Sequence, residues 1–327
     1  MIPDPIENTV LKRLADNYRL GGSLERLAGE NLNYLLTTEK GERYVTKIVG
    51  DDMPPEVVAM EFEAMEHAIS AGFSLQLPKI VKNKFGNIET GIEIHKNRLQ
   101  RLRLQEYLHG NVLENVSDIS DLLMKNVGIS LAEYHVAMQE FDHPAAHRNH
   151  RWNLAEAGQH RDKIGLLDEP RKEALMTWGF DTWQRVRGSL RSMPWQFIHG
   201  DMNRENILVG GDRVTGLVDF GDACFNPVAC DVAICLTYMM MDRPDPLDAM
   251  DVLLQGYQEI RALSEAERSV LLPLVCGRLV TSIAVSTERR SIDPDNPNWF
   301  GGEDSAWALL EFLRENIKDS VGLRGQI

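Results

Sequence analysis

Apolar and polar positions change rhythm along the 327-residue chain. Leu32 to Thr37 and Arg43 to Val49 are short β-prone runs, and Glu39-Lys40-Gly41-Glu42 between them carries the glycine of a hairpin turn. A helix is predicted next. Asp51 or Asp52 can cap it and Pro54 or Pro55 suits its first turn. Val57, Met60, Ala64, Met65, Ala68 and Ile69 then recur at helical spacing until Gly72. Lys79 to Asn83 and Ile88 to His95 read as strands around a Phe85-Gly86-Asn87 turn, and Leu102 to Leu108 runs into His109-Gly110.

From Gly110 onward the helical period takes over. Val116 to Phe141 places Leu123, Val127, Leu131, Tyr134, His135 and Met138 on one stripe. Asp142 to Leu167 is polar, rich in His and Arg and nearly aperiodic, which predicts a long excursion with broken helices. Asp168 to Arg191 is helical again, and Pro194 to Phe220 alternates short strands with loops. Asp231 to Met241, Pro246 to Arg261, Ser264 to Arg289 and Glu303 to Asn316 complete the helices. The expected class is α+β: a β-rich unit over residues 1–109 and a helical unit over 110–327.

Composition narrows the picture modestly. Hydrophobic content of 43% and charged content of 26% are ordinary for a globular chain. A net charge of -14 argues against a nucleic-acid partner and is compatible with a cationic one. Met1 to Leu20 interleaves charges with apolar residues, unlike a signal peptide, and no apolar run nears the length of a membrane span. Cys224, Cys230, Cys235 and Cys276 lack metal-site spacing and read as reduced thiols of a cytoplasmic protein.

The chemistry concentrates in Phe197-Ile198-His199-Gly200-Asp201-Met202-Asn203-Arg204-Glu205-Asn206, followed by Asp219-Phe220-Gly221-Asp222. Two acids and an amide on short loops after apolar runs are the parts of a phosphoryl-transfer site. Asp201 is the candidate base that orients an attacking hydroxyl. Asn206 and Asp219 are candidate ligands of Mg²⁺, which takes hard oxygens and keeps several waters. His199 is assigned to anchoring the loop. Protein kinases write the same parts as H-R-D-x-x-x-x-N and D-F-G. Gly200 in place of the Arg matches kinases of small molecules.

Lys47 interrupts an apolar strand and is expected to grip nucleotide phosphates, with Glu61 as first candidate partner and Glu63 as second. The phosphate-covering loop falls by position at residues 27–33, with Asn31 and Asn33 in it. Main-chain groups of Glu106 and Leu108 are placed to meet a purine. His143, His147, His150 and His160 have near-helical spacing. Pro144 and the basic surroundings favour a solvated or substrate-facing segment over a zinc site. Met239-Met240-Met241 is read as helix core.

These motifs resemble the aminoglycoside phosphotransferase and choline kinase superfamily, with the two-lobed protein-kinase-like fold. Tyr44-Val45-x-Lys47-Ile48, Ala71-Gly72-Phe73, Trp152-Asn153-Leu154, Asp219-Phe220-Gly221-Asp222 and Cys276-x-Arg278-x-x-x-Ser282 are similar to the hydroxylysine kinase branch. The resemblance implies transfer of a γ-phosphoryl group from ATP or GTP to a hydroxyl of a small amino acid or amine, with hydroxylysine first. Aminoglycosides, choline, ethanolamine and homoserine are the alternative acceptors, and a non-catalytic nucleotide-binding module is the alternative of another class. It also implies that Asp231 braces the catalytic loop. Arg278, in apolar company, is a candidate for binding an acceptor carboxylate or for an internal ion pair, and Asp222 for binding an amine.

Overall fold

The computed structural model describes residues 5–27, 32–50, 53–95, 98–294 and 302–317. The chain divides into two compact units, residues 1–65 with 76–109, and residues 66–75 with 110–327.

The smaller unit opens with α1 (Pro5–Tyr18), which the reading of a β-rich start missed. Ile6, Val10, Leu14 and Tyr18 recur every fourth residue, but the charges between them hide the stripe. Val10 and Leu14 are fully buried against Tyr34, Leu36, Ile48, Leu102 and Leu104. The sheet comprises β1 (Gly22–Leu27), β2 (Leu32–Thr38), β3 (Arg43–Val49), β4 (Ile80–Val81), β5 (Thr90–His95) and β6 (Arg98–Glu106). Its order is β1-β2-β3-β6-β4, with β5 also paired to β6. Every pairing is antiparallel. β1 is a further strand the sequence did not advertise, because its residues are largely exposed.

Register decides what this sheet can do. Asn33 sits opposite Lys47, and Lys47 opposite Arg103, so the three share one face. Tyr34, Ile48 and Leu102 occupy the other face, toward α1. The helix α2 (Pro55–Ser70) follows β3. The expected caps Asp51 and Asp52 lie outside the described residues.

The larger unit contains β7 (Asn111–Val112), α3 (Asp121–Ala137), 3-10 segments at Pro144–Ala146 and Leu154–Leu166, and α4 (Pro170–Arg187). Next come β8 (Trp195–Ile198), β9 (Ile207–Gly210), β10 (Arg213–Leu217), β11 (Cys224–Pro227) and α5 (Val228–Met240). The chain continues through α6 (Pro246–Ile260), α7 (Glu265–Ile292) and α8 (Glu303–Asn316). α3 starts later than its stripe suggests because the Ser120 hydroxyl accepts from the Leu123 amide and caps it there. α7 starts at a capping box, Ser264 with Glu267.

Among the described residues, α7 is the helix long and apolar enough to cross a membrane, which the sequence reading did not foresee. Its apolar window is 78% buried within the protein, and the helix packs on α4, α5 and α8. Met239, Met240 and Met241 are buried, and all four cysteines are buried free thiols.

Candidate active site

Two short sheets of the larger unit, β10-β9-β7 and β11-β8, bring the two motif turns together. The Val218 amide donates to the Asn206 carbonyl at 3.0 Å, where β9 and β10 part. Gly200 has φ +77°, and a Cβ there would lie 2.3 Å from the Asp222 carbonyl oxygen, so the turns touch backbone to backbone. His199 stitches them: its Nε2 donates to the Val218 carbonyl at 3.2 Å, and its Nδ1 accepts from the Asp201 amide at 3.3 Å. Burial lowers the pKa of this imidazole, against the pull of Asp231 and Asp219. A neutral ring with one donor and one acceptor matches both bonds.

Asp231, fully buried on α5, holds the loop from below. Its Oδ2 accepts from the His199 amide at 3.0 Å and its Oδ1 from the Gly200 amide at 2.9 Å. His135 on α3 donates Nε2–H to Oδ2 at 3.0 Å, and its Nδ1 accepts from the Tyr257 hydroxyl at 2.7 Å. Burial raises the Asp231 pKa, but His135 and the Gly200 amide outweigh it and the net shift is downward.

Asp201 is oriented at both oxygens. Oδ2 accepts from Asn203 Nδ2 at 3.1 Å and Asn206 Nδ2 at 2.9 Å, and Oδ1 accepts from Arg278 at 2.6 Å. Burial pushes its pKa up to about 8, with Arg278 pulling down and Asp222 and Asp219 pushing up. The sequence reading assigned Asn203 no role. It also caps the turn, its Oδ1 accepting from the Glu205 and Asn206 amides.

The donor set suits a hard cation. The Asn206 amide nitrogen is committed to Asp201, at the carbonyl (2.8 Å) as well as the carboxylate, so Oδ1 is the atom that would meet a metal. Asp219 supplies a carboxylate from a left-handed backbone, φ +63°. Among the described residues no group of three or more His, Cys, Asp or Glu forms a metal site, so these oxygens would act with phosphate oxygens and water.

Around Asp201 stand residues of the aperiodic excursion and of α7. Arg148 donates to the Gly221 and Ala223 carbonyls, gripping the second turn. His150 Nδ1 lies 3.5 Å from an Asp222 oxygen. Trp152-Asn153-Leu154 is anchored by Asn226, which donates to Asn153 Oδ1 at 2.9 Å, and by the Trp183 indole, which donates to the Leu154 carbonyl at 3.0 Å. Of the two roles expected for Arg278, the structure gives the internal ion pair: the side chain is 2% exposed and bonded to Asp201. A groove of about 640 Å³ lies elsewhere, lined by Leu122, Asn126, Glu133, Asp212 and Arg213, and holds none of these residues.

In the smaller unit Glu61 pairs with Arg103 at 2.7 Å, with both side chains almost fully buried, a partner that the sequence did not announce. Arg103 lies beside Lys47 across β3 and β6, a neighbour that no local pattern announces. Glu63 is exposed. Asn33 Oδ1 is buried without a hydrogen-bond partner on the Lys47 face, whereas Asn31 lies outside the described residues. The Glu106 amide donates to the Lys79 carbonyl at 2.8 Å, and Leu108 follows half-buried.

Comparison with known proteins agrees with this chemistry. The chain is similar to hydroxylysine kinase of Mus musculus, 27% identical over 282 residues that cover 80% of this chain and 74% of the relative. It is 29% identical to homoserine kinase of Rhizobium rhizogenes over 262 residues, covering 76% and 74%. A solved amicoumacin kinase in complex with AMP-PNP, Ca²⁺ and Ami shares the fold, with a TM-score of 0.72 and 17% identity over 94% of this chain and 93% of that one. Residues 23–266 match the phosphotransferase enzyme family, and the chain belongs to it, a kinase-like α+β enzyme that phosphorylates a small molecule.

Proposed function

We propose that this phosphotransferase moves the γ-phosphoryl group of ATP or GTP to the side-chain hydroxyl of a small amino acid or amine, with hydroxylysine as the first acceptor. The observation that carries the reading is the Asp201 carboxylate. Two amides fill Oδ2, while Oδ1 has one donor and a lone pair to spare for a hydroxyl. Asp201 orients that hydroxyl and takes its proton late, as a loose transition state requires. Asn206 Oδ1 and Asp219 hold Mg²⁺, which when bound neutralises charge on the phosphates. Residues 1–109 serve the nucleotide: Lys47 and Asn33 toward phosphates, Glu61 as the acid of their face, the Glu106 carbonyl and Leu108 amide toward the base. Residues 110–327 serve metal and acceptor, with Asp222 toward an ammonium group.

The hydroxylysine kinase relatives support the acceptor, and the homoserine kinase relative makes homoserine the second candidate. The nucleotide and divalent cation in the amicoumacin kinase support the donor. The test is Mg²⁺-dependent nucleoside-diphosphate release with ATP and with GTP against hydroxylysine, homoserine, choline, ethanolamine and kanamycin. Hydroxylysine should give the highest kcat/KM, and Asp201→Ala should abolish turnover while leaving magnesium–nucleotide affinity nearly unchanged. Nucleotide binding with no transfer to any acceptor would establish the non-catalytic alternative.

A further inference from the structure

The α7 guanidinium is in an unusual position. Arg278 is among the largest fully buried side chains of the described residues, and it comes from a helix turn of Val275, Leu279 and Val280. Its carbon lies 4.8 Å from the Trp152 ring centroid and 5.4 Å from that of Tyr238, so aromatic residues of two other segments contact it. Each nitrogen already faces an acceptor: Nε donates to the Tyr238 hydroxyl at 3.1 Å, one terminal nitrogen lies 3.5 Å from the Trp152 carbonyl, and the other donates to Asp201 Oδ1 at 2.6 Å. An acceptor carboxylate would need a free pair of parallel N–H groups on one open edge. With 2% exposure, Arg278 presents no such edge.

We propose that Arg278 is a positioning residue for phosphoryl transfer: held by Trp152 and Tyr238, it fixes the Asp201 carboxylate and does not bind the acceptor. The inference rests on Asp201 being the base. With Oδ2 held by Asn203 and Asn206, the carboxylate is pinned at one oxygen and still free to swing about it; the Arg278 bond to Oδ1 stops that rotation. The remaining Oδ1 lone pair then points one way, where the hydroxyl must arrive. An acceptor's carboxylate, where it has one, must find other partners, so acceptors with and without that group should depend on Arg278 equally.

The test uses the full-length enzyme and two acceptors that differ in a carboxylate, homoserine and 3-amino-1-propanol, with nucleotide hydrolysis in the absence of acceptor as a third readout. Arg278→Met and Arg278→Lys should lower kcat roughly 10²-fold, the cost of a misplaced catalytic group. Acceptor and nucleotide KM should stay within about threefold, since the lost interaction is made through the base. Adding Arg278→Met to Asp201→Asn should cost nothing further. Tyr238→Phe, which removes only the hydroxyl on Nε, should give a smaller fall in kcat with the same unchanged KM, and serves if the Arg278 variants do not fold. A rise in KM for homoserine but not for 3-amino-1-propanol would overturn the inference and make Arg278 the carboxylate site. Unchanged kcat in the variants would also overturn it while leaving the kinase reading intact. A wild-type protein that neither binds magnesium–nucleotide nor hydrolyses it would overturn both.

Discussion

Replacing Gly200 by alanine tests the contact between the two motif turns. The backbone there has φ +77°, and the new Cβ would stand 2.3 Å from the Asp222 carbonyl oxygen. A relaxed carbon–oxygen contact is about 3.3 Å, so one turn must retreat by roughly 1 Å. The left-handed conformation costs an alanine about 1–2 kcal/mol, and overpacking adds about 1–3 kcal/mol. Gly211 is the control: its φ is +62°, yet a Cβ there meets nothing within 4 Å, so Gly211→Ala carries the conformational cost alone. Urea unfolding followed by tryptophan fluorescence should therefore show Gly200→Ala losing about 1–3 kcal/mol more than Gly211→Ala. Turnover should separate them further. Asp201, the proposed base, follows Gly200 directly, and a shift near 1 Å in such a group costs about 10²-fold in rate. Gly211→Ala should keep wild-type kcat. Equal stability losses in the two variants, with kcat intact in both, would refute the backbone-to-backbone packing.

Two further outcomes are expected. Glu61→Gln and Arg103→Met each strand a buried partner and should cost about 3–5 kcal/mol in chemical denaturation, whereas Glu61→Leu with Arg103→Met should recover most of it; a double variant as unstable as the sum of the singles would mean that the two are not a pair. Asp231→Asn must turn its amide either toward the Gly200 amide or toward the His199 amide and His135 Nε2 together. It should lose about 2–3 kcal/mol, the worth of a hydrogen bond to a charged group, with a fall in kcat. Wild-type stability in that variant would show that no charge is needed beneath the catalytic loop.

Much of the chain was legible residue by residue. The hairpin around Gly41, the strand at Arg43–Val49 and the helix at Glu303–Asn316 follow from local periodicity, and their bounds agree closely with the structure. The helix α1 did not show, since its apolar stripe is narrow and becomes decisive only once Val10 and Leu14 meet the sheet. The excursion at 142–167 was rightly aperiodic. Its 3-10 segments, Pro144–Ala146 and Leu154–Leu166, flank Arg148 and Trp152, and 3-10 turns leave no helical rhythm to read.

The sequence by itself pointed to the chemistry, because Asp201, Asn206 and Asp219 fall on short loops between apolar runs, in the residue types and spacing that a phosphoryl-transfer site uses. Tertiary structure alone decided the pairings. Glu61 on α2 meets Arg103 on β6, a strand that register sets beside Lys47 of β3, and Arg278 meets Asp201 because α7 packs against α5 at Tyr238. A side chain's type states that a buried charge needs a partner. Which partner it finds depends on strands and helices far apart in the chain, and on the shape that their packing leaves between them.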